Sequence, residues 1–128
     1  MSYHFPYFED RPHVPITVIG PERRVRYIPL LDSGADYTTL SKKEAILLGL
    51  DWNQGEVISL ANADGTGFDA KIFRLLLEIE GVTLFVRICF VDSNHCPMPL
   101  LGRFDVFRYF KIIIDESAHM VELRSYSI

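Results

Sequence analysis

The residues best suited to chemistry are Asp32, Ser33 and Gly34, which follow the apolar pair Leu30-Leu31 and lead into Ala35-Asp36. Two apolar residues running into an acid, a hydroxyl and a glycine predict a buried strand that ends in a tight turn. Gly34 is expected there to take backbone angles closed to a side chain. An acid at the end of such a strand is held rigidly, as a reacting carboxylate must be. The same triplet also makes ordinary Asx turns, so its flanks and a second motif downstream decide its meaning.

Other constellations carry less. Cys89, His95 and Cys96 hold metal-ligating atoms, but Cys89 falls mid-strand and no fourth ligand has usable spacing. No metal and no cofactor is therefore expected. His4, His13 and His119 are isolated and read as surface or arm residues, and no phosphate loop or Ser–His pair occurs. The formal charge of −4, with thirteen Lys and Arg scattered along the chain, argues against a nucleic-acid partner. No apolar run approaches the roughly 18 residues that span a bilayer, so no membrane partner is expected. The aromatic start, Met1 to Glu9, lacks the pattern of a signal peptide, which points to the cytoplasm. In that compartment Cys89 and Cys96 are expected to be reduced.

The elements that must position Asp32 read as mostly β. With 128 residues, 48% hydrophobic and 23% charged, the chain suits one folded domain with a sizeable core. Residues 1–12 form an N-terminal arm, rich in aromatics and proline, lying on the domain or on a partner chain; the domain proper is 13–128. Ile16–Ile19 and Val25–Leu31 read as a hairpin across Gly20-Pro21-Glu22. Tyr37–Leu40 favours strand, and Ser41…Glu44 is a capping box opening a helix that stops at Gly49. Glu56–Ala61 and Phe68–Phe73 predict a long hairpin with the tip Asn62-Ala63-Asp64-Gly65-Thr66-Gly67. Leu75–Glu80 and Val82–Val91 follow as strands, then a polar loop from Asp92 to Pro99. Leu100-Leu101-Gly102 echoes Leu30-Leu31…Gly34 without the acid; Arg103–Tyr109 reads as a short helix, and Phe110–Asp115 with Met120–Arg124 as a closing hairpin. The order is that of a diverged internal duplication of one mostly-β unit.

Taken together these residues resemble the retropepsin-like aspartic proteases, and among them the cellular prokaryotic members. Leu31-Asp32-Ser33-Gly34-Ala35-Asp36 is similar to the family's active-site signature, and Leu100-Leu101-Gly102-Arg103 to its second. The resemblance covers roughly 13–125, departing from the family in Ser33, where threonine is commoner, and in the hairpin tip, which is not nearly pure glycine. It implies an all-β acid-protease barrel with one or two short helices, one lobe per chain.

What the resemblance implies about activity follows from acid–base chemistry. Peptide hydrolysis needs a base for water and an acid for the carbonyl oxygen and the leaving amine, and two carboxylates sharing one proton do both. Asp32 is the one suitable acid, since Asp64 sits at a hairpin tip. The expected enzyme is thus a homodimer pairing two copies of Asp32. By resemblance Ser33 bonds across the dimer axis, Gly34 admits the substrate backbone, and Asp36 pairs with Arg103. The Asn62–Gly67 tip closes over an extended peptide, with pockets lined by Ile58, Leu60, Phe68 and Leu100. The alternative is a dimerisation or peptide-binding module of the same fold with little or no proteolysis.

Overall fold

The computed structural model describes residues 1–61, 67–92 and 98–126. The expected tip residues Asn62, Ala63, Asp64, Gly65 and Thr66, together with His95 and Cys96, lie outside the described residues. Strands dominate: β1 (Ser2–Pro6), β2 (Ile16–Ile19), β3 (Arg24–Tyr27), β4 (Leu30–Leu31), β5 (Thr38–Ser41), β6 (Glu56–Ala61), β7 (Gly67–Ile79), β8 (Val82–Val91), β9 (Leu100–Leu101), β10 (Phe110–Asp115) and β11 (Met120–Ser125). One α-helix, α1 (Lys42–Leu47), and a single 3-10 turn at Trp52–Gln54 complete the described elements. The strands form a larger sheet in the order β3-β2-β7-β8-β5-β9-β4, with β6 on β7, and a smaller one in the order β1-β11-β10.

The hairpin β7–β8 is the spine. Odd residues of β7 and even residues of β8 face the main core, where Leu75, Leu77, Ile79, Leu84, Val86, Ile88 and Phe90 are buried. The opposite face divides along its length. At one end Ala70, Ile72, Cys89 and Val91 are buried beneath Tyr37 and Ile58; at the other, Leu76 and Phe85 stay exposed. The sequence splits β7 near Arg74, yet the strand runs through, because Arg74 faces outward opposite Arg87 and leaves the alternation intact.

Two strands that the sequence reads as alike meet directly. β4 and β9 pair in parallel, Leu30 with Leu100 and Leu31 with Leu101, which brings the two signatures side by side. The hairpin β6–β7 forms as expected, up to Ala61 opposite Gly67. The N-terminal arm lies on its own chain: β1 pairs antiparallel with β11, and Phe5 enters the core.

Three local expectations give way to longer-range contacts. The returning strand breaks at Ile28-Pro29, where Pro29 has no N–H to give and its carbonyl accepts from Val14 instead. Ser41 precedes α1 but makes no side-chain cap; the Glu44 carboxylate accepts the Tyr27 hydroxyl at 2.6 Å. Residues 103–109 form successive turns rather than a helix. Asp105 stands at a φ of 69°, which ends any helix there. Gly49, at a φ of 88°, does stop α1 as the sequence predicts.

The Tyr27–Glu44 bond yields a first expectation. Burial, then the Glu44 contact, raises the phenol well above its ordinary value. A raised folded value means that Tyr27 contributes its full stability below the ordinary phenol range and loses it as pH climbs through the folded value. Tyr27→Phe is expected to cost about 1–2 kcal/mol near neutrality and to remove that part of the alkaline loss, read from denaturant midpoints at pH 7 and above about 10. No helix among the described residues is long and apolar enough to cross a membrane.

Candidate active site

Asp32 stands where β4 ends. Leu31 is buried and donates its N–H to the Pro12 carbonyl at 2.8 Å, while the Asp32 N–H donates to the Leu101 carbonyl at 3.0 Å. The half-buried acid is therefore fixed on both flanks by backbone. Its own turn then grips the side chain: the Gly34 N–H donates to Oδ1 at 2.9 Å, and the Ala35 N–H to the Asp32 carbonyl at 3.2 Å. No other side chain among the described residues bonds the carboxylate, so Oδ2 is open to a ligand, water or second acid.

Gly34 serves this turn differently from the sequence expectation. Its φ is not positive. A Cβ there would sit 3.3 Å from Asp32 Oδ1, so the requirement is for room beside the carboxylate.

The second signature braces the first through main-chain bonds. The Arg103 N–H donates to the Ala35 carbonyl at 2.9 Å and the Phe104 N–H to the Asp36 carbonyl at 2.7 Å. The Gly102 N–H donates to the hydroxyl of Thr38, which is fully buried. The Asp36–Arg103 ion pair implied by the resemblance is absent. Both residues are exposed, and the Arg103 guanidinium lies 5.9 Å from the Phe104 ring. An exposed pair gains little over water, which accounts for its absence. Arg103→Ala is accordingly expected to change stability by no more than about 1 kcal/mol in denaturant unfolding.

The ion pair that does form joins Arg87 of β8 to Asp105. Nε donates to Oδ2 at 2.9 Å, Nη2 to Oδ1 at 3.2 Å, and the Arg87 backbone N–H to Oδ2 at 2.9 Å. Sequence reasoning missed this pair, as it missed Thr38 and Tyr37. Arg87 and Asp105 lie eighteen positions apart in the chain, and Asp105 was expected within a helix.

The remaining predicted residues divide. Ser33 is exposed on the turn and Ala35 half-buried behind it. Ser33 borders an open hollow of about 280 Å³ whose other walls include Leu31, Phe107, Phe110, Ile112 and Ile114. β10, which carries Phe110, Ile112 and Ile114, is an edge strand of its sheet. Leu100 is half-buried beside Leu30 on β9. Leu60 and Gly67 occupy the facing ends of β6 and β7, with Leu60 opposite Phe68. Ile58 is half-buried and packs on the second apolar cluster.

Comparison with known proteins gives a fold. No family model matches the sequence, and no curated protein sequence does. The structure is similar to the crystal structure of a retropepsin-like aspartic protease from Rickettsia conorii, with a TM-score of 0.72 over 96% of this chain and 98% of that one. Only 20% of residues are identical. The chain has the retropepsin-like fold.

Proposed function

From a retropepsin-like fold with one acid at the end of β4, we propose an aspartic endopeptidase whose active unit is a homodimer. The observation that carries this reading is the state of Asp32, its Oδ1 tied to the Gly34 amide and its Oδ2 open on an exposed turn. A second copy supplies the second carboxylate. Between the two acids, which share one proton, a water loses its proton to the ionised carboxylate and attacks the peptide carbonyl. The protonated carboxyl gives its proton to the carbonyl oxygen, and the pair later protonates the leaving amine as the C–N bond breaks.

The partner copy approaches along the face that holds Ser33, the apolar hollow and the free edge of β10. Ser33 then has a neighbour across the two-fold axis, and Ile112 and Ile114 lose their water. The substrate is an extended peptide lying under the β6–β7 hairpin as an added strand, with Leu60, the Asn62–Gly67 tip and Leu100 around it. Asp36 and Arg103 support the turn through their backbones. The setting is the cytoplasm, and no nucleic acid, membrane or cofactor takes part.

The test is cleavage of a mixed peptide library from about pH 3 to 8, with sedimentation in parallel. A bell-shaped profile is expected, failing when both acids are protonated and when both are ionised, from a particle of twice the chain mass. A strictly monomeric chain that cuts peptides would overturn the dimer. An intact dimer that cuts nothing at any pH would overturn the enzyme and leave the peptide-binding module.

A further inference from the structure

We propose that Arg87 and Asp105 are positioning residues for the Asp32 turn, holding it through Phe104 and Tyr37; this rests on the peptidase reading above. β5 pairs with β8 only from Ile88 onward. One residue earlier, the Arg87 amide meets a carboxylate instead of a strand. Asp105 thus continues the ladder by one bond and takes the guanidinium at the same time. The fork geometry fixes orientation as well as distance. The pair is sheltered, with side-chain exposures of 30% and 18%.

The held carboxylate fixes a strained backbone. Asp105 keeps its left-handed φ of 69°, a conformation that a residue with a side chain adopts at a cost. That turn presents Phe104, whose ring lies 4.9 Å from the guanidinium and meets Tyr37 edge-on at 5.1 Å. The guanidinium is also 5.8 Å from the Tyr37 ring. Tyr37 follows Asp36 directly in the chain, and the Phe104 amide bonds the Asp36 carbonyl. The Arg103 amide on Ala35 completes the link to the turn that bonds the Asp32 carboxylate. Two charges and a ring on β8 and the 103–109 turns, with the Tyr37 ring just before β5, therefore converge on the backbone on which Asp32 is mounted.

Two features separate this role from an ordinary surface ion pair. Arg87 stands directly opposite Arg74, a like-charge pairing that disfavours the strands unless an acid intervenes. Asp105 supplies an acid to Arg87. The hydrogen bond from Arg87 also holds the Asp105 carboxyl below its ordinary range, against the opposing effect of burial. The clamp then stays ionised in mild acid and weakens only as pH falls through that lowered value.

The experiment compares Asp105→Asn, Arg87→Lys and the unaltered chain by amide hydrogen exchange and by peptide cleavage. Asp105→Asn removes the charge at constant size, and Arg87→Lys keeps the charge but loses the fork. The Arg103 and Phe104 amides, which bond the Asp32 turn, are expected to exchange about tenfold faster or more in both variants. Amides of β10 and β11 are expected to keep their rates. In cleavage, kcat should fall by about tenfold to a hundredfold with KM little changed, as for a misplaced reacting group. Uniform acceleration of all amides would show a purely structural pair and overturn the proposal, as would unchanged exchange at Arg103 and Phe104. If the unaltered chain cuts no peptide, the peptidase reading fails while the exchange rates still decide the clamp.

Discussion

Asp32→Asn is expected to abolish peptide hydrolysis and leave the fold in place. An amide has nearly the shape of a carboxylate, and its Oδ1 still accepts the Gly34 N–H that ties the turn together. The backbone bonds from Asp32 to Leu101 and from Leu31 to Pro12 do not involve the side chain. What disappears is the basic oxygen at Oδ2. An amide cannot take a proton from water, and in a homodimer both copies change at once. A loss of at least about 10³-fold in cleavage rate is expected, with a stability change within about 1 kcal/mol. Dimer mass is expected to persist or tighten, because two carboxylates no longer repel across the axis. Cleavage at the original rate by a clean Asp32→Asn preparation would remove Asp32 from the mechanism. Lost cleavage with a collapsed denaturant midpoint would instead assign it a structural part.

The features legible in the sequence were those written in neighbouring residues. Val82–Val91 is read to its ends because β8 is mostly apolar and rich in β-branched and aromatic residues and is buried on both faces over its last residues. The closing hairpin β10–β11 and the left-handed stop at Gly49 are likewise local. The echo between Leu30-Leu31 and Leu100-Leu101 survives into space as the parallel pair β4–β9, since each needs a partner buried on the same side. Two of the misreadings share a cause: a distant partner outbid a local preference. Glu44 leaves its capping box for Tyr27, and Asp105 leaves a helical turn for Arg87. Asp36 and Arg103, close enough in the fold to share backbone neighbours, remain solvated, and no pattern in the chain separates that outcome from a buried pair. Gly34 shows the same limit at one residue. Its type is legible as a requirement, but the reason is the Asp32 oxygen beside it and not its own backbone angle.

Gly102→Ala is expected to be the most damaging small change to the fold. Gly102 is buried at the point where β9 leads away from β4, and its N–H meets the buried Thr38 hydroxyl. A Cβ at this position would fall far inside contact distance of the Tyr37 carbonyl carbon and oxygen and would crowd the Thr38 nitrogen. All three are backbone atoms. Relief would require β5 to move, and β5 is held on one side by its parallel pairing from Thr38–Ile88 to Ser41–Val91 and on the other by Thr39 opposite Leu100. Retreat therefore breaks ladder bonds and strands a buried hydroxyl, while no retreat leaves an overlap. Either outcome places the change among the rare substitutions costing more than about 4 kcal/mol, against a total stability of about 5–15 kcal/mol for a domain. The control is Gly81→Ala, at a φ of 81° with nothing within 4 Å, where only backbone strain applies. That variant is expected to lose about 1 kcal/mol. Denaturant midpoints of the two variants should differ accordingly, and failure of Gly102→Ala to fold at all agrees with the larger figure. A Gly102→Ala midpoint equal to that of Gly81→Ala would mean that Gly102 does not lie against the Tyr37–Thr38 backbone, and with it would go that part of the bracing of the Asp32 turn.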